Sequence, residues 1–153
     1  MSVELTRDPP KALNWDPNKQ MALFGHVASD PKFFAQVRGR MAPEWFVDPY
    51  SSRGYKAMQD FQKEFNRPPT IAELRDYREF RLEDRGWYNK FLTHLDKCLY
   101  LRQDFPLDHL RRELSDWMRA RIFHTAVERA VPLFNAEKPT AADHELDVAS
   151  KEI

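Results

Sequence analysis

The chain has four glycines in 153 residues, Gly25, Gly39, Gly54 and Gly86, and each stands alone. Glycine makes tight hairpin turns sterically free, so a sheet of several strands would lack its connections. Aromatic residues make up 13% of the sequence, which supplies large side chains for a core. A chain of this length is expected to form one domain. The expectation is therefore an all-α fold.

The same isolated glycines bear on function. A phosphate-cradling loop needs clustered glycines so that backbone amides can approach the anion, and no Gly-Lys-Ser/Thr occurs. The sequence thus predicts no nucleotide hydrolysis, no cofactor and no enzymatic activity for this chain. The 24 basic and 24 acidic residues cancel, which argues against a general nucleic-acid coat. Cys98 is the only cysteine and cannot form an internal disulfide. Met1 to Asn14 contains no apolar run of the signal-peptide kind. No stretch approaches the roughly 20 apolar residues that cross a bilayer. A cytoplasmic protein without a membrane span is expected.

Proline punctuates the chain. Arg7-Asp8-Pro9-Pro10 cannot be helical, so residues 1–16 read as an extended arm. From Pro17 the pattern turns helical, with Met21, Phe24 and Val27 at three-residue spacing and a stop near Ser29. Asp30-Pro31 and Asp48-Pro49 each pair an N-cap carboxylate with proline at the first helical position. The first of these opens a helix expected to bury Phe33, Phe34, Val37 and Met41. The second opens one expected to bury Tyr55, Met58, Phe61 and Phe65, ended by Asn66-Arg67-Pro68-Pro69. Between them, Pro43-Glu44-Trp45-Phe46 reads as one short helical turn. Thr70 and Glu73 form a capping box for a helix holding Ile71, Leu74 and Tyr77.

Two longer segments follow, about 81–103 and 106–131, separated by Asp104-Phe105-Pro106, and so short a connection predicts an antiparallel hairpin. Pro132 is expected to end or kink the second. The layout is thus an arm (1–16), a compact helical head (17–80), a helical hairpin (81–135) and a polar, acidic tail or short helix (136–153).

Side chains able to do chemistry are sparse. His94 and Cys98, four apart on a helix, share a face and could begin a zinc site, but no second ligand pair follows. A core cysteine beside an ordinary histidine accounts for them, and no metal is expected. His124 and Glu128 read as a surface pair. Ser51, Ser52, Ser115 and Ser150 lack the flanking glycines of a nucleophile elbow. The run Arg111, Arg112, Arg119, Arg121 is the one hint of nucleic-acid contact. Asp108 and Asp116, each four residues from Arg112, can take up much of that charge. Weak DNA contact through Arg112, Arg119 and Arg121 is the most this run supports.

The most informative stretch is Leu107 to Phe134. Leu110, Leu114, Met118, Ile122 and Ala126 make one apolar stripe. Phe123, Val127, Ala130, Val131 and Phe134 make a second, with Trp117 on the flank. A helix in a small domain usually needs one stripe. Either the head covers both, or one is left for a second chain. The candidate self-association residues are therefore Leu110, Leu114, Trp117, Met118, Ile122, Phe123, Val127, Val131 and Phe134.

The order of these elements resembles a known family. Arg7-Asp8-Pro9-Pro10, the helix Met21 to Ala28 and Ser29-Asp30-Pro31 resemble the start of the N-terminal domain of DnaB-type replicative helicases. Pro43-Glu44-Trp45-Phe46 resembles that family's Pro-Glu-x-Phe turn, and Gly54 to Phe65 its next helix. Arg67-Pro68-Pro69-Thr70-Ile71-Ala72-Glu73-Leu74 is similar to its proline-containing linker and Thr-x-x-Glu-Leu helix. Trp117 to Asn135 resembles its second hairpin helix, and Glu145 to Ile153 its closing helix.

The resemblance implies a helical head plus a hairpin that pairs into dimers, with three dimers forming the collar of a hexameric ring. It also implies primase and the helicase loader as partners. Two departures accompany it. The chain stops where a linker to the motor domain is expected, so unwinding does not carry over. Residues 81–103 read as continuous helix where the family has a glycine-rich turn, which suits a phage or plasmid member. The reading is a non-catalytic oligomerisation and docking collar. The alternatives are a free-standing phage regulator that binds a helicase, a small helical DNA-binding protein, and, last, a metalloenzyme around His94 and Cys98.

Overall fold

The computed structural model describes residues 14–135; most of the expected arm and the whole expected tail lie outside the described residues. The elements in order are α1 (Pro17–Ser29), α2 (Pro31–Val37), a 3-10 turn (Pro43–Trp45), α3 (Pro49–Phe65), α4 (Ile71–Arg75), α5 (Arg78–Arg81), α6 (Arg85–Asp104) and α7 (Leu107–Asn135). The fold is all-α, with no strand among the described residues.

The helix starts are local chemistry. Asp16, Asp30 and Asp48 each precede a proline, and each carboxylate accepts from the N–H groups two and three residues on. The capping box at α4 is complete. Thr70 Oγ1 accepts from Glu73 N–H at 3.1 Å, and Glu73 Oε1 accepts from Thr70 N–H at 3.0 Å. The Arg67 guanidinium forks onto the same carboxylate at 2.7 and 2.8 Å. That hydrogen bonding, with the Thr70 amide second, lowers the Glu73 carboxyl to about 2. Asn66 ends α3 in the left-handed region at φ 56°, where asparagine is tolerated better than most residues.

The chain divides into two compact units. One is Asp16–Arg111; the other contains Trp15 and the part of α7 from Arg112 onward. In the first unit α1 is the central helix. Gln20 to Gly25, Val27 and Ala28 are all buried, as expected for a helix apolar nearly all round. Its main partner is α6, whose Phe91, His94, Leu95 and Cys98 form the buried stripe. Gly25 makes this crossing possible, since a Cβ there would run into the Cys98 carbonyl. Gly54 does the same on α3, where a Cβ would lie 2.5 Å from Phe24 Cζ. Phe24 is fully buried and meets Phe46 edge-on at 6.3 Å. An aromatic cluster of Phe80, Trp87 and Phe91 joins α5 to α6, with centroids 4.5 to 5.6 Å apart.

Several expectations change. The α2 helix stops at Val37, and Met41 is buried from the following loop, where Tyr55 Oη donates to the Val37 and Met41 carbonyls. Phe65 is 52% exposed, because it lies in the last turn of α3. Tyr77 caps α5 instead of extending α4. The long helix expected from residue 81 begins at Arg85, because the Asp84 side chain accepts from Trp87 N–H and sets a new start. Pro132 lies inside α7, which runs on to Asn135, so it does not end the helix; lacking an N–H, it cannot bond the Glu128 carbonyl. The first unit extends through α6 to Arg111.

Candidate self-association surface

Helix α7 starts at Leu107, and the Pro106 carbonyl takes up the His109 and Leu110 N–H groups. Leu110, Leu114 and Trp117 are buried, and they lie within about 60° of one another at 100° per residue. Within the second unit Trp15 lies against Trp117, ring centroids 5.3 Å apart. Ala126 and Ala130 are also buried, but they come out about 160° and 200° round the helix from Leu110. The covered side of α7 therefore changes along its length.

The two stripes end differently. In the first, Leu110, Leu114 and Ala126 are buried, while Met118 and Ile122 are half-buried. In the second, Ala130 is buried and Val127 half-buried, but Phe123 and Val131 are 46% and 47% exposed. Phe134 has its backbone in α7; its side chain lies outside the described residues. Of the nine candidates, Leu110, Leu114 and Trp117 are thus taken up inside the chain. Phe123, Val127 and Val131, at i, i+4 and i+8, form an open apolar strip.

The basic run does not make one face. Arg112 and Arg119 are exposed and lie on one side of α7, but Arg121 is about 160° or more away. Arg121 is half-buried, and burial lowers its pKa against the pull of Glu128. Arg111 pairs with Asp108 at 3.7 Å, in place of the expected Asp108–Arg112 pair. His124 and Glu128 meet at 2.7 Å on the surface.

A polar cluster lies inside the first unit. His94 Nε2 is 2.7 Å from Ser51 Oγ and 3.4 Å from Asp48 Oδ1. The same Asp48 oxygen accepts from the Tyr50 and Ser51 N–H groups. Burial pushes the Cys98 thiol up to about 12, against the opposing influence of the Ser51 hydroxyl. Burial holds His94 below the ordinary histidine range, against the opposing charge of Asp48 and with the help of Lys97.

This arrangement is a brace between α3 and α6. A nucleophilic relay needs the acid and the hydroxyl on opposite ring nitrogens, and here both face Nε2. Among the described residues, no three His, Cys, Asp or Glu side chains come together to hold a metal ion. His26 Nε2–H donates to the Phe105 carbonyl at 2.8 Å, tying α1 to the end of α6. Sequence reasoning missed both histidine bonds, because their partners lie 43 and 79 residues away.

No family model matches this chain, and neither a curated protein nor a solved structure matches it. Among the described residues, no helix is long and apolar enough to cross a membrane.

Proposed function

We propose that this chain is a non-catalytic helical domain that self-associates through α7 and docks partner proteins, in the manner of a DnaB-type helicase collar. The observation that carries the reading is the apolar strip Phe123, Val127 and Val131, open on one side of α7. Burying two side chains of this size against a second copy would contribute about 1.5–3 kcal/mol each at full burial. The half-buried Met118 and Ile122 would add a margin. The collinear resemblance in Sequence analysis supports the helicase collar over other helical docking domains. On that reading the partners are a second copy, in dimers or trimers of dimers, and the primase or loader of the ring.

Sedimentation velocity over a concentration series tests the proposal. The wild type should sediment as a dimer or higher species at high micromolar concentration. Phe123→Asp combined with Val131→Asp should yield a monomer of unchanged helicity, since both positions are exposed within the chain. A wild type that stays strictly monomeric would sink the reading.

A further inference from the structure

Away from α7, the turn after α2 and the C-terminal half of α3 enclose an open cleft of about 480 Å³. Its charged lining is Arg38, Arg40 and Lys63, with no acidic residue among the lining side chains. Gln36, Gln59 and Gln62 supply amides between them. We infer that this cleft is a docking site for an acidic, extended peptide segment of a partner protein. The inference rests on the reading of the chain as a docking domain and gives that docking a chemistry.

Three observations carry it. The first is charge segregation around α3. Its acids Asp60 and Glu64 lie about 100° round the helix from Gln59 and Lys63 respectively, and Asp60 pairs with Lys56 at 3.7 Å. The cleft side of α3 is left to Gln59, Gln62 and Lys63.

The second is that the cations are not engaged as helix-end caps. The Phe34 and Val37 carbonyls at the end of α2 are taken by the N–H groups of Arg38, Arg40 and Met41. The Arg38 carbonyl is taken by Gln59 Nε2 at 2.9 Å. With its oxygen facing Arg38, the Gln62 amide accepts one Arg38 N–H at 3.3 Å, which leaves the rest of that fork open.

The third is that the floor is set before any ligand arrives. Tyr55 and Gln59 hold the turn from below, and a Cβ at Gly39 would meet nothing within 4 Å, so the mouth is clear.

The ligand class follows from the lining. Arginine forks take carboxylates in bidentate fashion, and glutamine amides offer donors and acceptors that suit a peptide backbone. No aromatic residue lines the cleft, so nucleobases would find no stacking platform. That favours an acidic peptide over a single-stranded nucleic acid.

The test is fluorescence anisotropy on the full chain, with a labelled peptide of alternating Asp, Glu and Ala. The controls are its Asn/Gln counterpart and an oligothymidine of equal charge. The acidic peptide should bind saturably, the neutral one should not, and affinity should fall with added salt. Arg38→Gln and Arg40→Gln should each weaken binding by about tenfold, the size of one charge-assisted hydrogen bond. Self-association should be untouched by both, and the α7 double variant should still bind the peptide. No saturable binding, binding indifferent to Arg38 and Arg40, or tighter binding of the oligonucleotide would each overturn the inference. Since sedimentation reads α7 and anisotropy reads the cleft, either idea can fail without the other.

Discussion

The unit Asp16–Arg111 and the stretch of α7 beyond it are both helical and both rich in large apolar residues, yet they treat those residues differently. In the first, Phe24, Phe34, Tyr55 and Phe91 are fully buried, and its exposed apolar side chains, Val47, Phe65, Leu82 and Tyr100, are scattered over separate elements. Single exposed residues of that kind need no explanation. In the second, Phe123 and Val131 are exposed on the same side of one helix, with Val127 between them. Burial within the chain thus accounts for the first region and leaves an apolar strip over in the second. That strip is the reason to look for another molecule on α7.

The sharpest way to break this comparison is to cut into the first region. Phe24→Ala removes a fully buried ring between α3 and the Phe46 side chain, and it should cost about 3–5 kcal/mol in urea unfolding. A loss below about 1 kcal/mol would mean that the core is looser than the burial implies.

Next in size is Gly25→Ala. The added methyl meets a backbone carbonyl of α6, which cannot step aside as a flexible side chain could. A loss of about 1–3 kcal/mol is expected, despite the better helix propensity of alanine. Stabilisation instead would show that α1 and α6 can separate without strain.

The His94 brace should give a smaller, pH-dependent effect. Its folded pKa lies below that of the unfolded chain, so the folded state takes up fewer protons in acid. Its contribution is fully present above about pH 6.5, the ordinary histidine value, and is lost as pH falls through the folded pKa. Burial lowers that value, Asp48 opposes the shift and Lys97 adds to it, and the Tyr50 ring lies beside the imidazole. Thermal unfolding between pH 7 and pH 5 should therefore fall more steeply in the wild type than in His94→Gln. Parallel curves would remove histidine from the account.

The smallest effect is expected at the strip itself. Phe123→Ala, measured where the chain is dilute and monomeric, should change unfolding by no more than about 0.5 kcal/mol. A large loss there would mean that the ring is covered within the chain, and the contrast between the two regions would disappear.

Much of the fold was legible because it is local. The Asp-Pro starts, the Thr70–Glu73 box, the stop at Asn66 and the short turn at Pro43 all depend on bonds reaching four residues or fewer. The apolar spacing of α7 was equally visible, so the candidate strip was in hand as one of two stripes. Spacing alone could not say which stripe would stay open, since both are apolar and both fit a helix.

The sequence by itself determined that the chain is helical, where most helices begin, and that no Gly-Lys-Ser/Thr occurs in it. Those properties follow from torsional preference, capping and residue type, which act within a turn or two of each residue. Only the tertiary structure decided that Gly25 is the crossing point of α1 and α6, that His94 is spent on Ser51, and that Arg38, Arg40 and Lys63 share a cleft. It also decided that Phe123 and Val131 are the exposed members of their stripe. Each of these depends on which distant surface reaches the residue first, and close packing gives that place to one partner and excludes the rest.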